Sequence, residues 1–169
     1  MTAWIGIIGT VIGAIIGGGL TLLNAHLQTR RQVQQDRRKL ILSKLEELHE
    51  AISEQQQGNR QLFIQFMQLK ANHNDSEVKQ QVRERRFLSS EKIQMLVGFY
   101  APELSQHLKV FLEENLSYMD SLVEYSMTEK EDENQKKVFF DLIFSKHEKL
   151  ASALTVMQME LVLVSKKYI

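Results

Sequence analysis

The chain has 169 residues, with 21 Lys or Arg and 21 Asp or Glu, so its formal net charge at pH 7 is zero. This balance gives no sign of a strongly acidic or basic partner for the chain as a whole. The sequence contains no cysteine, which excludes disulfide bonds, thiol catalysis and cysteine-based metal sites.

The residues that break helices are concentrated near the N-terminus. Six of the eight glycines lie between Gly6 and Gly19, and Pro102 is the single proline. Leu, Glu, Gln, Lys and Met, which are favourable helix formers, dominate the remaining sequence. So few breakers after the glycine-rich segment predict long helices and an all-α fold.

The first predicted element is a transmembrane helix over residues 3–25. No charged residue lies between Thr2 and Ala25, and this length is sufficient to cross a hydrocarbon layer roughly 30 Å thick. A signal peptide begins with basic residues, whereas here the basic residues follow the apolar run. We therefore expect the segment to be retained, with Trp4 as an interfacial anchor.

A basic stalk over residues 26–39 follows the predicted span and continues its helix. Its cationic side chains are Arg30, Arg31, Arg37, Arg38 and Lys39. Excess positive charge marks the cytoplasmic side of a membrane helix, so the N-terminus is predicted outside and the C-terminus in the cytoplasm. A specific site for anionic lipid or nucleic acid is the alternative. A topology signal with lipid head-group contact is favoured, so no nucleic-acid partner is expected.

Small residues form two rows on the predicted span, because residues four apart share a helix face. One row is Gly9, Gly13 and Gly17, and the other is Gly6, Thr10, Ala14 and Gly18. In lipid, close backbone approach across small residues drives helix association. The rows predict self-association, and two adjacent small faces suit a ring better than a dimer. The alternative is that glycine is simply common in membrane helices.

Residues 40–169 are predicted to form a cytoplasmic four-helix bundle. Helical apolar spacing extends the first helix to about residue 70, with Gly58 as a candidate kink. The segment at 72–76 is rich in Asn, Asp and Ser and is predicted to be a loop. A second helix is expected from about residue 77 to residue 99.

Pro102 is predicted to break the helix and to begin the third one, since the residue before proline disfavours helical geometry. The third helix is expected to end near Met127. The charged segment 128–134 is either a loop or a frayed end, and the fourth helix is predicted from about Gln135. Four amphipathic helices with short connections are typical of a bundle.

The sequence lacks the patterns of common active sites. Glu46 and His49 have the spacing of half a di-iron carboxylate pattern, but no second Glu-x-x-His exists. There is no zinc-protease pair, phosphate-binding loop or nucleophile elbow. Four-helix nucleases of the HEPN type carry an Arg followed by a His four to six residues later, which this chain does not have. We therefore expect no enzymatic activity, no metal and no cofactor.

The layout of the chain resembles a group of small bacterial inner-membrane proteins that includes the membrane accessory proteins of type VI-B CRISPR systems. The resemblance rests on the glycine-rich span, the basic stalk, the sequence Lys-Leu-Glu-Glu-Leu-His-Glu at 44–50, and Tyr100 with Pro102-Glu103-Leu104. It implies location in the bacterial inner membrane, oligomerisation into pore-like assemblies and a role in antiviral defence.

Two functions remain open at this stage. In the first, the protein is a homo-oligomeric membrane effector whose spans enclose a pore, lined by the polar residues Thr10, Thr21 and Asn24. In the second, the span only tethers a helical scaffold or regulator that binds a cytoplasmic protein partner. The expected partners are therefore membrane lipids, further copies of the chain and, in the second case, that protein.

Overall fold

The computed structural model describes the backbone of residues 2–72, 90–127 and 133–169. Side-chain environments are described in these ranges from residue 17 onward, except at 69–72, 126–127, 133 and 135–136. Every regular secondary-structure element in the described ranges is a helix, which confirms the predicted all-α class. Most of the predicted loop at 72–76, the first half of the second helix and the segment 128–132 lie outside the described residues.

The described ranges contain four α-helices, one after another. We number them α1 (Thr2–Asn72), α2 (residues 90–100 of the described chain), α3 (Ser105–Met127) and α4 (Glu133–Ser165). The single long helix predicted from residue 3 to about 70 is present, and it continues through Gly58. The start of α4 lies two residues before the predicted start at Gln135.

The connection between α2 and α3 is short and centres on Pro102. Ala101 has φ −142° and ψ 55°, which is outside the helical region, and a single 3₁₀ turn follows at Pro102–Leu104. The backbone N–H of Leu104 donates to the carbonyl of Ala101 at 2.9 Å, as a 3₁₀ turn requires. The regular α-helix therefore begins at Ser105, three residues later than predicted. Proline suits this first position, because its fixed φ is compatible with a helical turn and its missing N–H would have no partner within the helix.

The chain divides into two compact units, Met1–Ile41 and Leu42–Ile169, called here the N-terminal unit and the bundle unit. In the N-terminal unit, all side chains from residue 17 to residue 40 are exposed. Across the residues whose surroundings are described, no helix carries a stretch long and apolar enough to cross a membrane. The side chains of residues 1–16, which form most of the predicted span, lie outside that description.

Both α1 and α3 pack antiparallel on α4. The backbone carbonyl of Ser117 in α3 accepts a hydrogen bond from Lys146 at 3.2 Å, and Glu103, in the 3₁₀ turn before α3, pairs with Lys167 at 3.3 Å. From α1, Ser53 accepts a hydrogen bond from Gln158 at 3.0 Å. Later α1 and α3 residues contact earlier α4 residues, as in the pairs Phe63–Phe144 and Tyr125–Phe139.

The core of the bundle unit is formed by apolar side chains from all four helices. Each helix contributes residues three and four apart, which is the spacing that keeps one face turned inward. The largest fully buried side chains include Leu48 and Ile52 of α1, Ile93 and Leu96 of α2, Phe111 and Tyr118 of α3, and Ile143 and Leu150 of α4. The predicted four-helix bundle is thus present in its architecture.

Candidate functional site

Two polar residues interrupt the buried stripe of α1. The stripe advances in steps of three and four through Leu45, Leu48, Ile52, Gln55, Asn59, Leu62 and Phe66, all of them buried. Gln55 and Asn59 are each only 5% exposed. The Gln55 Nε2 group donates a hydrogen bond to Asn59 Oδ1 at 3.2 Å. The bundle unit therefore contains a pair of amides where apolar side chains are expected.

The same interruption occurs on α3 and α4. On α3, Asn115 and Tyr118 lie on the buried face between Phe111 and Leu122. On α4, His147 takes the place of an apolar residue in the stripe Ile143, His147, Leu150, Leu154, Met157, Leu161 and Val164. We call Gln55, Asn59, Asn115, Tyr118 and His147 together the polar layer.

His147 is in contact with two aromatic rings of neighbouring helices. Its imidazole stacks on Phe63 of α1, with ring centroids 4.2 Å apart and planes only 4° from parallel. The ring of Tyr118 from α3 is 5.5 Å away and tilted by 49°. Burial lowers the pKa of His147, and the nearby Glu148 carboxylate opposes this effect only in part. The imidazole is therefore neutral at physiological pH.

Each member of the polar layer keeps at least one buried atom without a hydrogen-bond partner in the structure. These atoms are Gln55 Oε1, Asn59 Nδ2, Asn115 Oδ1, Tyr118 OH and His147 Nδ1. The oxygen and nitrogen of a side-chain amide can be exchanged in a structure. Exchanging them in both Gln55 and Asn59 leaves the number of unpaired buried atoms the same. Buried polar atoms are nearly always paired, and each unpaired one costs about 1–3 kcal/mol. Such a concentration marks this layer as the unusual part of the core.

A groove adjoins the polar layer between α1 and α4. Its volume is about 750 Å³, and its lining runs from Ser53 to Ile64 on α1 and from His147 to Thr155 on α4. Asn59 and His147 belong to both the groove and the polar layer. The groove is lined by apolar side chains such as Leu150 and Leu154 and by the amides and hydroxyls of α1.

The residues singled out from the sequence lie elsewhere. Gly17 and Gly18 are exposed, as are all five members of the basic cluster, Arg30, Arg31, Arg37, Arg38 and Lys39. The surroundings of Gly6, Gly9, Gly13 and Ala14 lie outside the described residues. Pro102 is exposed at the turn between α2 and α3. None of these residues contributes to the polar layer.

Ion pairs in the bundle unit lie at its surface. Glu47 of α1 accepts a hydrogen bond from Lys44 at 2.8 Å and is paired with Lys92 of α2 at 3.5 Å. The hydrogen bond from Lys44 is the main reason that the pKa of Glu47 lies below its usual value, and burial opposes it. Among the described residues, no group of three His, Asp or Glu side chains is placed to hold a metal ion.

The sequence interpretation missed the polar layer, although the signal was present. Gln55 and Asn59 lie on either side of the candidate kink at Gly58, yet both continue the three-and-four spacing of the apolar residues around them. His147 likewise continues the spacing from Ile143 to Leu150. A polar residue on an otherwise apolar stripe was the available clue.

Comparison with known proteins gives no assignment. No protein-family model matches the chain, and no match is found among curated proteins or solved structures. The functional argument therefore rests on the residues and contacts described above.

Proposed function

We propose that the protein is a homo-oligomeric membrane effector, anchored by a single span over residues 3–25, with the bundle unit in the cytoplasm. The main support is the exposure of Leu20, Leu22 and Leu23, which are all more than half exposed. At 3.6 residues per turn these three leucines point to different sides of α1. A helix that is apolar all round is stable when it is surrounded by other protein or by lipid.

The basic cluster supports the proposed topology. Arg30, Arg31, Arg37, Arg38 and Lys39 follow the apolar segment directly, and all are exposed. Anionic head groups on the cytoplasmic surface attract such side chains by about 1 kcal/mol for each one. In the proposed topology the N-terminus is outside and the bundle unit is in the cytoplasm. The bacterial inner membrane is the location that the resemblance implies.

The glycines support self-association of the span. A Cβ atom added at Gly17, Gly18 or Gly19 would meet nothing within 4 Å in the chain itself. Packing within one chain therefore does not require glycine there, although each glycine in a helix costs about 1 kcal/mol relative to alanine. Close approach of a second copy of the helix would offset this cost, because small residues permit backbone contact in lipid.

Perturbation of the membrane in antiviral defence is the role that the resemblance implies for such an assembly. In this proposal a ring of spans encloses a pore. Thr21 would face this pore. Its hydroxyl is already hydrogen-bonded, because the Oγ1 atom donates to the carbonyl of Gly17 at 2.8 Å. Ion flux from liposomes containing the purified protein tests this step, and tight liposomes at high protein density would contradict it.

The decisive experiment compares two glycine variants of the full-length protein in a mild detergent. Gly17→Leu changes the Gly9-Gly13-Gly17 row, whereas Gly19→Leu lies outside both rows and meets equally open space. We expect the mass of the wild type and of Gly19→Leu to correspond to six or more subunits, and that of Gly17→Leu to fall toward a monomer. Equal masses for both variants, or a monomeric wild type, would reject self-association through this face.

A second candidate function is that of a tethered scaffold, and one observation favours it. Val156, Met159 and Leu163 of α4 form an exposed apolar row opposite the buried stripe. Exposed apolar rows on a helix are common in protein interfaces. The test joins residues 27–169 to an unrelated membrane span. A tethered scaffold would retain its function in this chimera, whereas an effector that acts through its own span would lose it.

A further inference from the structure

The groove between α1 and α4 has the size of a small-molecule site. Its volume of about 750 Å³ falls in the range of about 300–1,000 Å³ that is typical of ligand pockets. All of its described lining residues belong to the bundle unit, so the site does not depend on the proposed span.

One part of the groove is apolar and held in place by the core. Leu150 and Leu154 line it while being fully buried by their neighbours. Beside them, the parallel rings of Phe63 and His147 are stacked at 4.2 Å. The two rings support each other's orientation, and an aromatic ligand gains from contact with such a surface.

The other part of the groove is polar and carries one charge. Among the described lining residues, Arg60 has the only formal charge at neutral pH. Arg60 is exposed, and the structure gives it no carboxylate partner within the described residues. A guanidinium binds a planar carboxylate through two parallel hydrogen bonds, which makes it selective for such an anion.

We propose that this groove binds an aromatic carboxylate, with the carboxylate on Arg60 and the ring against Phe63, Leu150 and Leu154. The charge of Arg60 and the apolar wall match the two ends of such a ligand. Asn59 also lines the groove and has an unpaired amide atom. That atom is shielded from solvent, so it is not one of the proposed ligand contacts.

The first experiment titrates the full-length protein in a nonionic detergent with naphthalene carboxylate. The NMR signal of the isotope-labelled His147 ring reports binding, and a His147→Gln variant assigns that signal. We expect a saturable shift, and about tenfold weaker binding of the uncharged naphthalene carboxamide, since a hydrogen bond to a charged group contributes about that factor. Absence of a saturable shift up to the solubility limit of the carboxylate would overturn the proposal.

Two arginine variants test the charged contact. Arg60→Gln is expected to weaken binding of the carboxylate about tenfold and to leave binding of the carboxamide unchanged. Arg30→Gln removes an equally exposed arginine from the N-terminal unit and should change neither affinity. An equal loss in both variants would show a general effect of charge and would overturn the assignment to Arg60.

A third variant tests the groove itself. Ala151 lines the groove and is exposed, so Ala151→Trp fills the space without disturbing the buried stripe of α4. We expect it to abolish the His147 shift with both ligands, while the helical circular dichroism and the melting temperature stay unchanged. A saturable shift that persists in the folded variant would place the ligand elsewhere.

Discussion

Two leucines of the same helix occupy opposite environments. Leu22, in the N-terminal unit, is 74% exposed, whereas Leu48, in the bundle unit, is fully buried. Both lie in α1 and have the same intrinsic helix propensity. The difference shows that propensity accounts for the length of α1, while neighbouring helices determine which of its leucines contribute to a core.

The arrangement of the apolar residues differs in the same way. In the bundle unit they recur on one face of α1, and that face meets the other helices. In the N-terminal unit, Leu20, Leu22 and Leu23 point to several sides, and the described residues place no other helix on them. The bundle itself covers the first set of apolar residues. The proposed membrane span and its self-association would cover the second set.

The largest expected effect comes from Leu48→Ala compared with Leu22→Ala. Loss of the buried side chain should lower the free energy of unfolding by about 2–5 kcal/mol, because transfer and cavity costs add. The same change at Leu22 should leave the bundle unaffected. Urea denaturation of the full-length protein in mild detergent measures both. Tyrosine fluorescence is a suitable signal, because all four tyrosines lie in the bundle unit.

Similar losses in the two leucine variants would contradict the contrast between the units. They would mean that the N-terminal unit unfolds together with the bundle and that Leu22 stabilises both.

A smaller effect is expected from the amide pair of the polar layer. Asn59→Ala removes the acceptor of the Gln55 side chain and should cost about 1–3 kcal/mol, since a buried amide then has no partner. The double variant Gln55→Leu with Asn59→Leu removes both amides, and we expect its stability to equal or exceed that of the wild type. The same urea titration measures it, and a double variant less stable than Asn59→Ala would contradict this account.

The smallest expected effect is a pH dependence from His147. Burial holds its pKa below the unfolded value of about 6.5, so the unfolded chain binds the proton more readily. Neutral His147 makes its full contribution to the free energy of unfolding above about pH 6.5. This contribution declines as the pH falls below that value. We therefore expect the free energy of unfolding to decrease as the pH falls below about 6.5.

The control for this pH dependence is a pair of histidine variants. His147→Phe preserves an aromatic ring beside Phe63 and should flatten the profile, whereas His49→Gln changes an exposed histidine and should preserve the slope. The pKa values of Glu47 and Glu103 are lowered, so these two groups become protonated only below about pH 4.5. Their protonation therefore does not overlap with that of His147. An unchanged slope in His147→Phe would assign the effect to another group.

The sequence by itself determined the helices. Helical apolar spacing, with few breakers after the glycine-rich segment, predicted α1, and Pro102 predicted the turn before α3, because proline lacks an N–H and restricts its neighbour. These are local properties, and each can be deduced from residues within a few turns of one another.

Only the tertiary structure decided the polar layer and the groove. Gln55, Tyr118 and His147 are distant in sequence, and nothing local indicates that their helices meet at these residues. The antiparallel packing of α4 on α1 and α3 brings Phe63 and Tyr118 into contact with His147. Contact between helices depends on how their side chains interlock, and this is a property of the packed bundle rather than of any one segment.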